Sequence, residues 1–406
     1  MVPHKIVRFL VLIMGVSGAP LLASRLPGFS FDKVAETEGF PTSLAIDSEG
    51  QLFYSVTTGQ VYQIGSIGSS TEVALVPTAS EGNAALLGVA FRGDDELIAH
   101  YVSPDLTADV LTSVRLRDGV QTEIARWLCD LGRPCSTEHH GGNPVVAPDG
   151  TIYVGIGDFG GGAIAQSTES PGGKIFRISP SGVSRMFALG FRNPFDFAIG
   201  EGGGYLIVGD NGPEGGDEIH LVREGDNCGW PYTVGNQAPL AGTVPPSYSF
   251  SETVAPTGVF RTVAQMPFRD GGVLVGSFVT KALYFFPDIE ARPLPAPVTI
   301  LEKETGPIID VVQNRKGDIF FATPGVIYQL RLPRPGDANG DGRVEPADFE
   351  AIAREIHDGD GNLTIRASEG SFPGSWGADV NVDGIIDSRD LVALTRILRT
   401  RTRPIR

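Results

Sequence analysis

The most regular feature of the chain is a repeated unit in which two short apolar runs flank a polar turn that contains glycine. Six units follow one another: SLAIDSEGQLFYSV, LLGVAFRGDDELIAHYV, NPVVAPDGTIYVGIG, DFAIGEGGGYLIVGD, QMPFRDGGVLVGSF and IIDVVQNRKGDIFFAT. The turn glycines recur at intervals of roughly 40 to 70 residues. Short apolar runs separated by glycine turns predict β-strands, so we expect an all-β protein over most of the chain.

Several units continue into a further strand, as in GQVYQIG, GKIFRIS, KALYFFP and GVIYQLRL. A repeat of this length with about four strands per unit is typical of a β-propeller. The six units therefore predict a six-bladed β-propeller over residues 30–332, in which FSFDKVAETEG supplies a strand to the last blade. A large sandwich or two barrels is the competing interpretation. In a propeller, ligands are held by loops over the central channel.

The pattern ends at the proline-containing linker 333–336, and two similar 12-residue segments follow between residues 337 and 400. DANGDGRVEPAD and DVNVDGIIDSRD each match the calcium loop D-x-[DN]-x-[DN]-G, with an aspartate at position twelve. An amphipathic helix, FEAIAREI or LVALTRIL, follows each loop. The candidate calcium ligands are Asp337, Asn339, Asp341, the carbonyl of Arg343 and Asp348 in the first loop, and Asp379, Asn381, Asp383, the carbonyl of Ile385 and Asp390 in the second.

This duplicated loop–helix pattern resembles the type I dockerin family, in which the last ligand is also an aspartate. The resemblance implies a small α-helical calcium-binding domain that docks onto a cohesin domain of a scaffold or surface protein. The spacer between the repeats is longer than a dockerin usually has. The residues before position twelve also differ between the repeats, being Pro346-Ala347 and Ser388-Arg389. This difference argues against a two-fold-symmetric recognition of cohesin.

The N-terminus predicts secretion. Lys5 and Arg8 precede an apolar run that ends near Ala23, and glycine and proline interrupt the run. Such a run is too short for a membrane span and is typical of a cleaved signal peptide over residues 1–23. A buried N-terminal helix is the alternative. The formal charge of −16 argues against nucleic acid, which needs clustered Lys and Arg. We expect an extracellular or periplasmic protein.

The three cysteines are consistent with an oxidising compartment. Cys129 and Cys135 bracket the loop CDLGRPC and are close enough in sequence to form a small disulfide. Cys228 is left over, and we expect it to be a buried free thiol. The chain contains no CxxCH motif, so covalent c-type haem is not expected.

The stretch EHHGGNPVVAPDGTIYVGIGD runs through a loop into the third blade and places His139 and His140 at a face of the propeller. Its glycines allow a close approach of the backbone to a flat ligand. Histidine is the usual side chain for taking a proton near neutral pH. Asp158, at the end of the same strand pair, is placed to orient an imidazole. A merely structural or exposed histidine pair is the alternative.

The same stretch resembles the signature H-x-G-G…PDG-x-LY-x-x-GD of the soluble PQQ-dependent sugar dehydrogenases, the glucose/sorbosone dehydrogenase family. Further segments resemble the family in the same order: ALLGVAF (85–91), LGFRNPFDFAIG (189–200) and DNGPEGGDEIHLVREGDNCGWPY (210–232). The resemblance covers about residues 35–332. It implies a six-bladed propeller that oxidises an aldose sugar with PQQ and calcium.

Carried over residue by residue, the resemblance implies a base at His139, which takes the proton of the anomeric hydroxyl while hydride passes to the quinone. Asp158 would support His139, and Arg192 and Asn193 would contact the cofactor or the reacting oxygens.

The resemblance also implies metal sites. The carbonyls of Gly212 and Pro213 would bind the calcium ion that polarises the quinone. Glu218 would belong to a structural calcium site together with the backbone at Cys228, which stands where the family has tyrosine. A backbone ligand would survive that exchange.

The chain departs from the family where the carboxylates of PQQ are bound. Asn83 stands where the family has glutamine, and Lys281 matches the family's lysine only loosely. The family's Arg-x-Arg falls in GPIIDV (306–311), which contains no arginine. Each missing charge-assisted hydrogen bond is worth about 1.5–3 kcal/mol, so a weaker hold on the cofactor is expected.

Two interpretations follow. The first is a secreted PQQ- and calcium-dependent dehydrogenase that oxidises the anomeric carbon of an aldose to the lactone and is tethered through the dockerin-like module. The alternative is a catalytically inactive propeller that binds a carbohydrate or a protein. A hydrolase is disfavoured because the sequence contains no recognisable Ser/His/Asp elbow or metal–histidine cluster.

Overall fold

The computed structural model describes residues 29–66, 68–129, 135–263, 272–292, 294–357, 375–383 and 385–401. The predicted signal peptide lies outside these residues. Six four-stranded antiparallel sheets make up the larger part of the described chain, so the predicted six-bladed propeller is confirmed.

The first three blades follow one another along the chain, and each runs from an inner strand to an outer one. Their strands are β2 (Pro41–Ile46), β3 (Leu52–Val56), β4 (Gln60–Ile64) and β5 (Ser70–Leu75) in blade 1, β6 (Leu86–Phe91), β7 (Glu96–Val102), β8 (Ala108–Arg115) and β9 (Val120–Leu128) in blade 2, and β10 (Val145–Val146), β11 (Ile152–Ile156), β12 (Lys174–Ile178) and β13 (Ser184–Leu189) in blade 3.

The remaining blades repeat this arrangement. Their strands are β14 (Pro194–Ile199), β15 (Leu206–Asp210), β16 (Glu218–Val222) and β17 (Tyr248–Ser249) in blade 4, β18 (Pro256–Arg261), β19 (Val273–Ser277), β20 (Ala282–Phe286) and β21 (Val298–Glu302) in blade 5, and β22 (Asp310–Gln313), β23 (Ile319–Thr323) and β24 (Val326–Arg331) in blade 6. The N-terminal strand β1 (Ser30–Glu36) pairs with β24 and completes blade 6, as predicted.

The apolar cores lie between neighbouring blades. Strands β3, β11, β15 and β19 are buried along their whole length. One core joins Ala45 and Phe53 of blade 1 to Leu86 and Leu97 of blade 2, and similar cores join the other neighbours. A single blade could not bury both of its faces, so the ring is the stable unit.

Buried carboxyl groups also link the inner strands. Asp196 of blade 4 accepts a hydrogen bond from the backbone N–H of Val259 in blade 5, and Asp310 of blade 6 accepts one from Leu44 in blade 1; both are 2.7 Å long. Burial raises the pKa of both carboxyl groups, to about 7 for Asp310. The negative charge of Asp310 raises the pKa of Asp196 further.

The C-terminal module contains the helices α1 (Asp348–Ile356), α2 (Ser375–Ala378) and α3 (Ser388–Arg401). α1 and α3 confirm the two helices that the sequence predicts after the calcium loops. α1 contacts both other helices. Ile352 and Leu394 are fully buried, in an apolar cluster that the module shares with Phe285 of blade 5 and Phe321 of blade 6. Within the described residues, no helix is long and apolar enough to cross a bilayer.

Candidate active site and calcium loops

The predicted active-site residues come from segments that lie next to the inner strands of blades 3 and 4. The backbone N–H of Asp158 donates to the carbonyl of Arg192 (2.8 Å), and that of Gly141 donates to Oδ1 of Asn193 (2.9 Å). The N–H of Asn211 donates to the carbonyl of Asn193 (3.1 Å). These bonds bring three segments that are distant in sequence to one mouth of the propeller.

His139 and Asp158 form the predicted pair. Nδ1 of His139 lies 2.6 Å from Oδ1 of Asp158, and the two side chains are 15% and 2% exposed. Asp158 also accepts hydrogen bonds from the N–H groups of Gly160 and Gly162 and from Nε1 of Trp230. An ionised carboxylate only accepts, so the proton lies on Nδ1 of His139. Nε2 is bonded to none of the described residues and remains available to a ligand.

The environment of Asp158 keeps its carboxylate ionised. Burial alone would raise the pKa of Asp158, but the hydrogen bonds from His139 and Trp230 outweigh it and lower the pKa below its ordinary value. A carboxylate that stays charged near neutral pH can hold the imidazole in one tautomer and stabilise it when it takes a second proton.

The backbone of His139 is held in an uncommon conformation. Its φ is +54°, in the left-handed region that non-glycine residues seldom adopt. The His139 carbonyl accepts a hydrogen bond from the N–H of Phe159 and lies against Gly157, where an added Cβ would come within 2.1 Å of the oxygen. Gly157 is therefore required for this placement of the base. Strained backbone held by its surroundings is common at functional sites.

Arg192 and Asn193 are fixed by a buried aspartate. Their backbone N–H groups donate to the two carboxylate oxygens of Asp210, at 3.0 and 2.7 Å. Burial raises the pKa of Asp210 to about 6, and the charge of Glu218 adds to the effect. Nη1 of Arg192 donates to the carbonyl of Asn211 (2.8 Å). The Asn193 side chain binds the loop that carries His139, so its present contact is with the protein.

Trp230 is a site residue for which the sequence analysis assigned no role. Its indole N–H donates to Oδ2 of Asp158 (2.8 Å), and its ring lies 5.8 Å from the guanidinium carbon of Arg192. One side chain thus touches both the partner of the base and the nearby cation. Trp230 stands in the GWP segment that carries the family resemblance, but nothing in a single sequence shows which carboxylate its indole reaches.

The turn that contains Gly212 and Pro213, the predicted calcium-binding carbonyls, is held tightly by the protein. Gly212 donates its N–H to Asp217 (2.9 Å), and an added Cβ at Gly212 would lie 1.7 Å from the carbonyl oxygen of Gly216. The Pro213 carbonyl accepts from the N–H of Gly216 (2.8 Å). In the residue before Gly212, the buried Oδ1 of Asn211 has no hydrogen-bond partner among the described residues. An orphaned acceptor next to two carbonyls fits a hard cation such as calcium.

Glu218 lies in a different buried group. Its Oε2 is 2.8 Å from Nε2 of His220, and its Oε1 accepts from the N–H of Gly235. Oxygen and nitrogen atoms of Asp210, Glu218 and His220 lie within 4.8 Å of one another. This buried group is a candidate metal–histidine cluster that the sequence analysis did not recognise. Cys228 is a buried free thiol and Cys129 forms a disulfide with Cys135, as predicted.

The residues expected to hold the cofactor carboxylates do not form a cationic clamp. Asn83 is exposed, and its N–H donates to the carbonyl of Thr137 (2.8 Å). Lys281 is also exposed. The segment 306–309 leads into β22 as Arg192 leads into β14, but Ile308 and Ile309 are buried and apolar. His139 and the turn at Gly212 and Pro213 stand where the family resemblance expects the base and the metal, whereas the arginine pair is missing.

The two calcium loops of the C-terminal module share one backbone pattern. In the first, Asp348 accepts from the N–H of Asn339 (3.2 Å); in the second, Asp390 accepts from the N–H of Asn381 (3.1 Å). Position seven donates its N–H to position five in both: Arg343 to Asp341 (2.8 Å) and Ile385 to Asp383 (3.0 Å). The predicted ligands of each loop are therefore brought together.

The first-position and last-position aspartates of the loops are buried: Asp337, Asp348, Asp379 and Asp390. Burial and the charges of Asp348 and Asp341 raise the pKa of Asp337. Oδ1 of Asp337 has no hydrogen-bond partner among the residues that the structure describes. A bound cation would offset the repulsion of carboxylates gathered in this way.

The family model for glucose/sorbosone dehydrogenase matches residues 39–328. The chain belongs to this family. A second model, the dockerin type I domain, matches residues 335–399. Both resemblances drawn from the sequence are therefore confirmed.

Glucose/sorbosone dehydrogenase relatives include quinoprotein glucose dehydrogenase B of Acinetobacter calcoaceticus, 27% identical over 56% of this chain and 58% of the relative. An aldose sugar dehydrogenase of Escherichia coli (strain K12) is 23% identical over 47% of this chain and 57% of the relative. The chain thus spans less than two thirds of the length of these relatives.

Solved structures with the same propeller fold include the soluble aldose sugar dehydrogenase of Escherichia coli in its apo form, with a TM-score of 0.68 and 19% identity over 75% of this chain and all of that one. The PQQ-bound aldose sugar dehydrogenase of Streptomyces coelicolor gives a TM-score of 0.64 and 23% identity, again over 75% of this chain and 100% of that one.

Proposed function

We propose that the protein is a secreted, PQQ- and calcium-dependent oxidoreductase that oxidises the anomeric carbon of an aldose to the lactone. The observation that carries this proposal is the pair of His139 and Asp158, in which Nδ1 of His139 lies 2.6 Å from Oδ1 of Asp158 and Nε2 has no partner among the described residues. The names of two relatives, a quinoprotein glucose dehydrogenase and an aldose sugar dehydrogenase, support the same chemistry.

In this proposal, Nε2 of His139 takes the proton of the anomeric hydroxyl, and the Asp158 carboxylate stabilises the imidazolium that results. Trp230 keeps the Asp158 carboxylate in place, and the Arg192 guanidinium stabilises negative charge that develops on the sugar oxygen. The carbonyls of Gly212 and Pro213 would hold the calcium ion. PQQ, when bound beside this ion, supplies the acceptor for the hydride of the anomeric carbon.

The catalytically inactive binding propeller remains the second candidate, because the segment 306–309 lacks the arginines that would bind the cofactor carboxylates. PQQ carries three carboxylates, and the loss of two charge-assisted hydrogen bonds would weaken its binding by roughly two to four orders of magnitude. We therefore expect a dissociation constant well above that of relatives with the complete clamp.

The deciding experiment adds PQQ and calcium to the purified apoprotein and follows the reduction of a dye with a panel of aldoses. We expect turnover with at least one aldose and its loss in His139→Ala. His357→Ala, in an exposed histidine at the end of α1, is the matched control and should keep full activity. Absence of PQQ binding at micromolar concentrations would favour the binding propeller.

We also propose that residues 1–23 direct secretion and that the module at residues 337–400, joined to the propeller (30–332) by the linker 333–336, docks onto a cohesin through its two calcium loops. The dockerin type I match over residues 335–399 and the buried loop aspartates support this tethering.

A further inference from the structure

His140, the second histidine of the adjacent pair, is buried behind the loop that carries the base. Its Nδ1 lies 2.8 Å from Oδ1 of Asp109 in β8, and its Nε2 lies 2.6 Å from the carbonyl oxygen of Ser136. The side chains of His140 and Asp109 are both inaccessible to solvent. The mouth of the propeller is therefore backed by a second His–Asp pair.

The hydrogen bonds of His140 determine its charge. A carboxylate oxygen and a carbonyl oxygen can only accept hydrogen bonds, so both ring nitrogens of His140 must carry protons. A ring with two N–H groups is an imidazolium, and Asp109 is its counter-ion. Burial by itself would lower the pKa of His140, but Asp109 and the Ser136 carbonyl raise it above its ordinary value.

A second buried ring, His100 of β7, lies near His140, and burial keeps His100 neutral by lowering its pKa. Nδ1 of His100 donates to the carbonyl of Gly142 (2.8 Å). Two strands of blade 2 thus hold the segment on either side of Gly141, since Asp109 binds the His140 ring and His100 binds the Gly142 carbonyl.

On the opposite side, the segment is bound to blade 4, because the N–H of Gly141 donates to Oδ1 of Asn193. His139 therefore lies in a loop whose next three residues are each bound by a polar side chain of a neighbouring blade. A small movement of His140 would rotate the backbone of His139, whose left-handed φ allows few alternatives.

We propose that His140 is a positioning residue for the oxidation reaction, a buried imidazolium paired with Asp109 that directs Nε2 of His139 towards the substrate. The role of His140 rests on the proposed function, whereas its protonation state does not. A histidine that merely filled the core would need neither a counter-ion nor a second acceptor.

The first test uses the full-length protein without cofactor and measures the 15N and 1H resonances of its histidine rings. We expect His140 to show two protonated ring nitrogens from pH 6 to 9, and the Nδ1 proton of His139 to be protected by Asp158. In His140→Gln, the His139 Nδ1 proton should lose this protection, because the single amide nitrogen cannot reach both acceptors that the two ring nitrogens of His140 contact. The matched variant His357→Gln should leave the signal unchanged.

The second test measures aldose oxidation. His140→Gln should lower kcat about 10- to 100-fold, because a misplaced base is a poor proton acceptor, while KM changes less than about threefold. Asp109→Asn should give the same pattern and remove one ring proton from His140. A circular dichroism spectrum like that of the wild type establishes that the variants are folded.

A neutral His140 at pH 7.5 would overturn the proposal, and so would a folded His140→Gln with unchanged kcat and an unchanged His139 proton signal. If the wild-type protein oxidises no aldose, the proposed function fails, but the resonance measurements still decide whether His140 is a buried imidazolium that orders His139.

Discussion

Among single residues, Asp158 offers a direct test of the proposed base, because its carboxylate contacts Nδ1 of His139. Asp158→Asn replaces an acceptor by an amide that cannot stabilise the imidazolium. We expect kcat to fall at least about 100-fold and KM to stay within about threefold, as removal of general-base support predicts. Steady-state dye reduction measures both values.

The control for Asp158→Asn is Asp288→Asn, which makes the same exchange at an exposed position between β20 and β21. This variant should match the wild type. A kcat of Asp158→Asn within threefold of the wild type would show that the carboxylate does not support the base.

The role of a residue could be predicted from the sequence only where the residue and its hydrogen-bond partner belong to the same blade and lie close together in the chain. Asp158 follows β11 of blade 3, close in sequence to His139, so their pairing was predictable. Asp109 and Trp230 lie in other blades, at 31 and 72 residues from their partners His140 and Asp158. Those contacts depend on the packing of blades, which no local pattern encodes.

At the level of elements, the inner strands of the blades are linked by titrating groups. The pKa of Asp310 is raised to about 7 in the folded protein, whereas an unfolded chain gives about 3.9. Between these values, the folded protein binds a proton that the unfolded chain does not. Stability from this proton is fully present below the unfolded value and is lost as pH rises through 7.

The pH dependence of unfolding tests the titration of Asp310. We compare the free energy of unfolding of the wild type with that of Asp310→Asn. The difference between the two should decrease by a few kcal/mol at most between pH 5 and 8.5, since each pKa unit corresponds to about 1.4 kcal/mol. Denaturant titrations at each pH measure it. The exposed variant Asp94→Asn should show no such trend, and a flat difference for Asp310→Asn would contradict the raised pKa.

An arginine introduced into the segment 306–309 tests whether the missing positive charge weakens the binding of PQQ. Pro307 is half-buried just ahead of β22, three residues before Asp310, as Asn193 lies three residues before the equivalent Asp196 in blade 4. Pro307→Arg should tighten PQQ binding about tenfold, because one charge-assisted hydrogen bond is worth at least about 1.5 kcal/mol. Titration of the apoprotein with PQQ measures the affinity.

Pro307→Gln is the matched control, since it has a long polar side chain without the charge, and its affinity for PQQ should stay near that of the wild type. Equal binding by the arginine and glutamine variants would mean that the cofactor carboxylates lie elsewhere.

The sequence predicted the number of blades and the closing strand β1 because each blade repeats a buried strand, a glycine turn and a second strand. The outer strands were harder to recognise. Most of β9 is exposed, so its apolar residues show no regular alternation. Helix α2 has four residues, fewer than helical periodicity needs to become visible.

For the whole molecule, propeller and module should depend differently on calcium. The four buried aspartates of the two loops repel one another unless a cation is bound, so a chelator should unfold the module. Calorimetry of the full chain should show two transitions, of which only the lower one depends on calcium through these loops.

The double variant Asp348→Ala/Asp390→Ala removes the last ligand of each loop and should abolish the calcium dependence of the lower transition, while the propeller transition stays where it is in the wild type. A type I cohesin should bind the wild type in calcium but neither the chelated protein nor this variant. The double variant does not alter any calcium site at Gly212 and Pro213. If chelator abolishes aldose oxidation in the wild type and in the double variant alike, the calcium needed for oxidation is bound by the propeller. If chelator leaves the lower transition unchanged, calcium does not hold the module together.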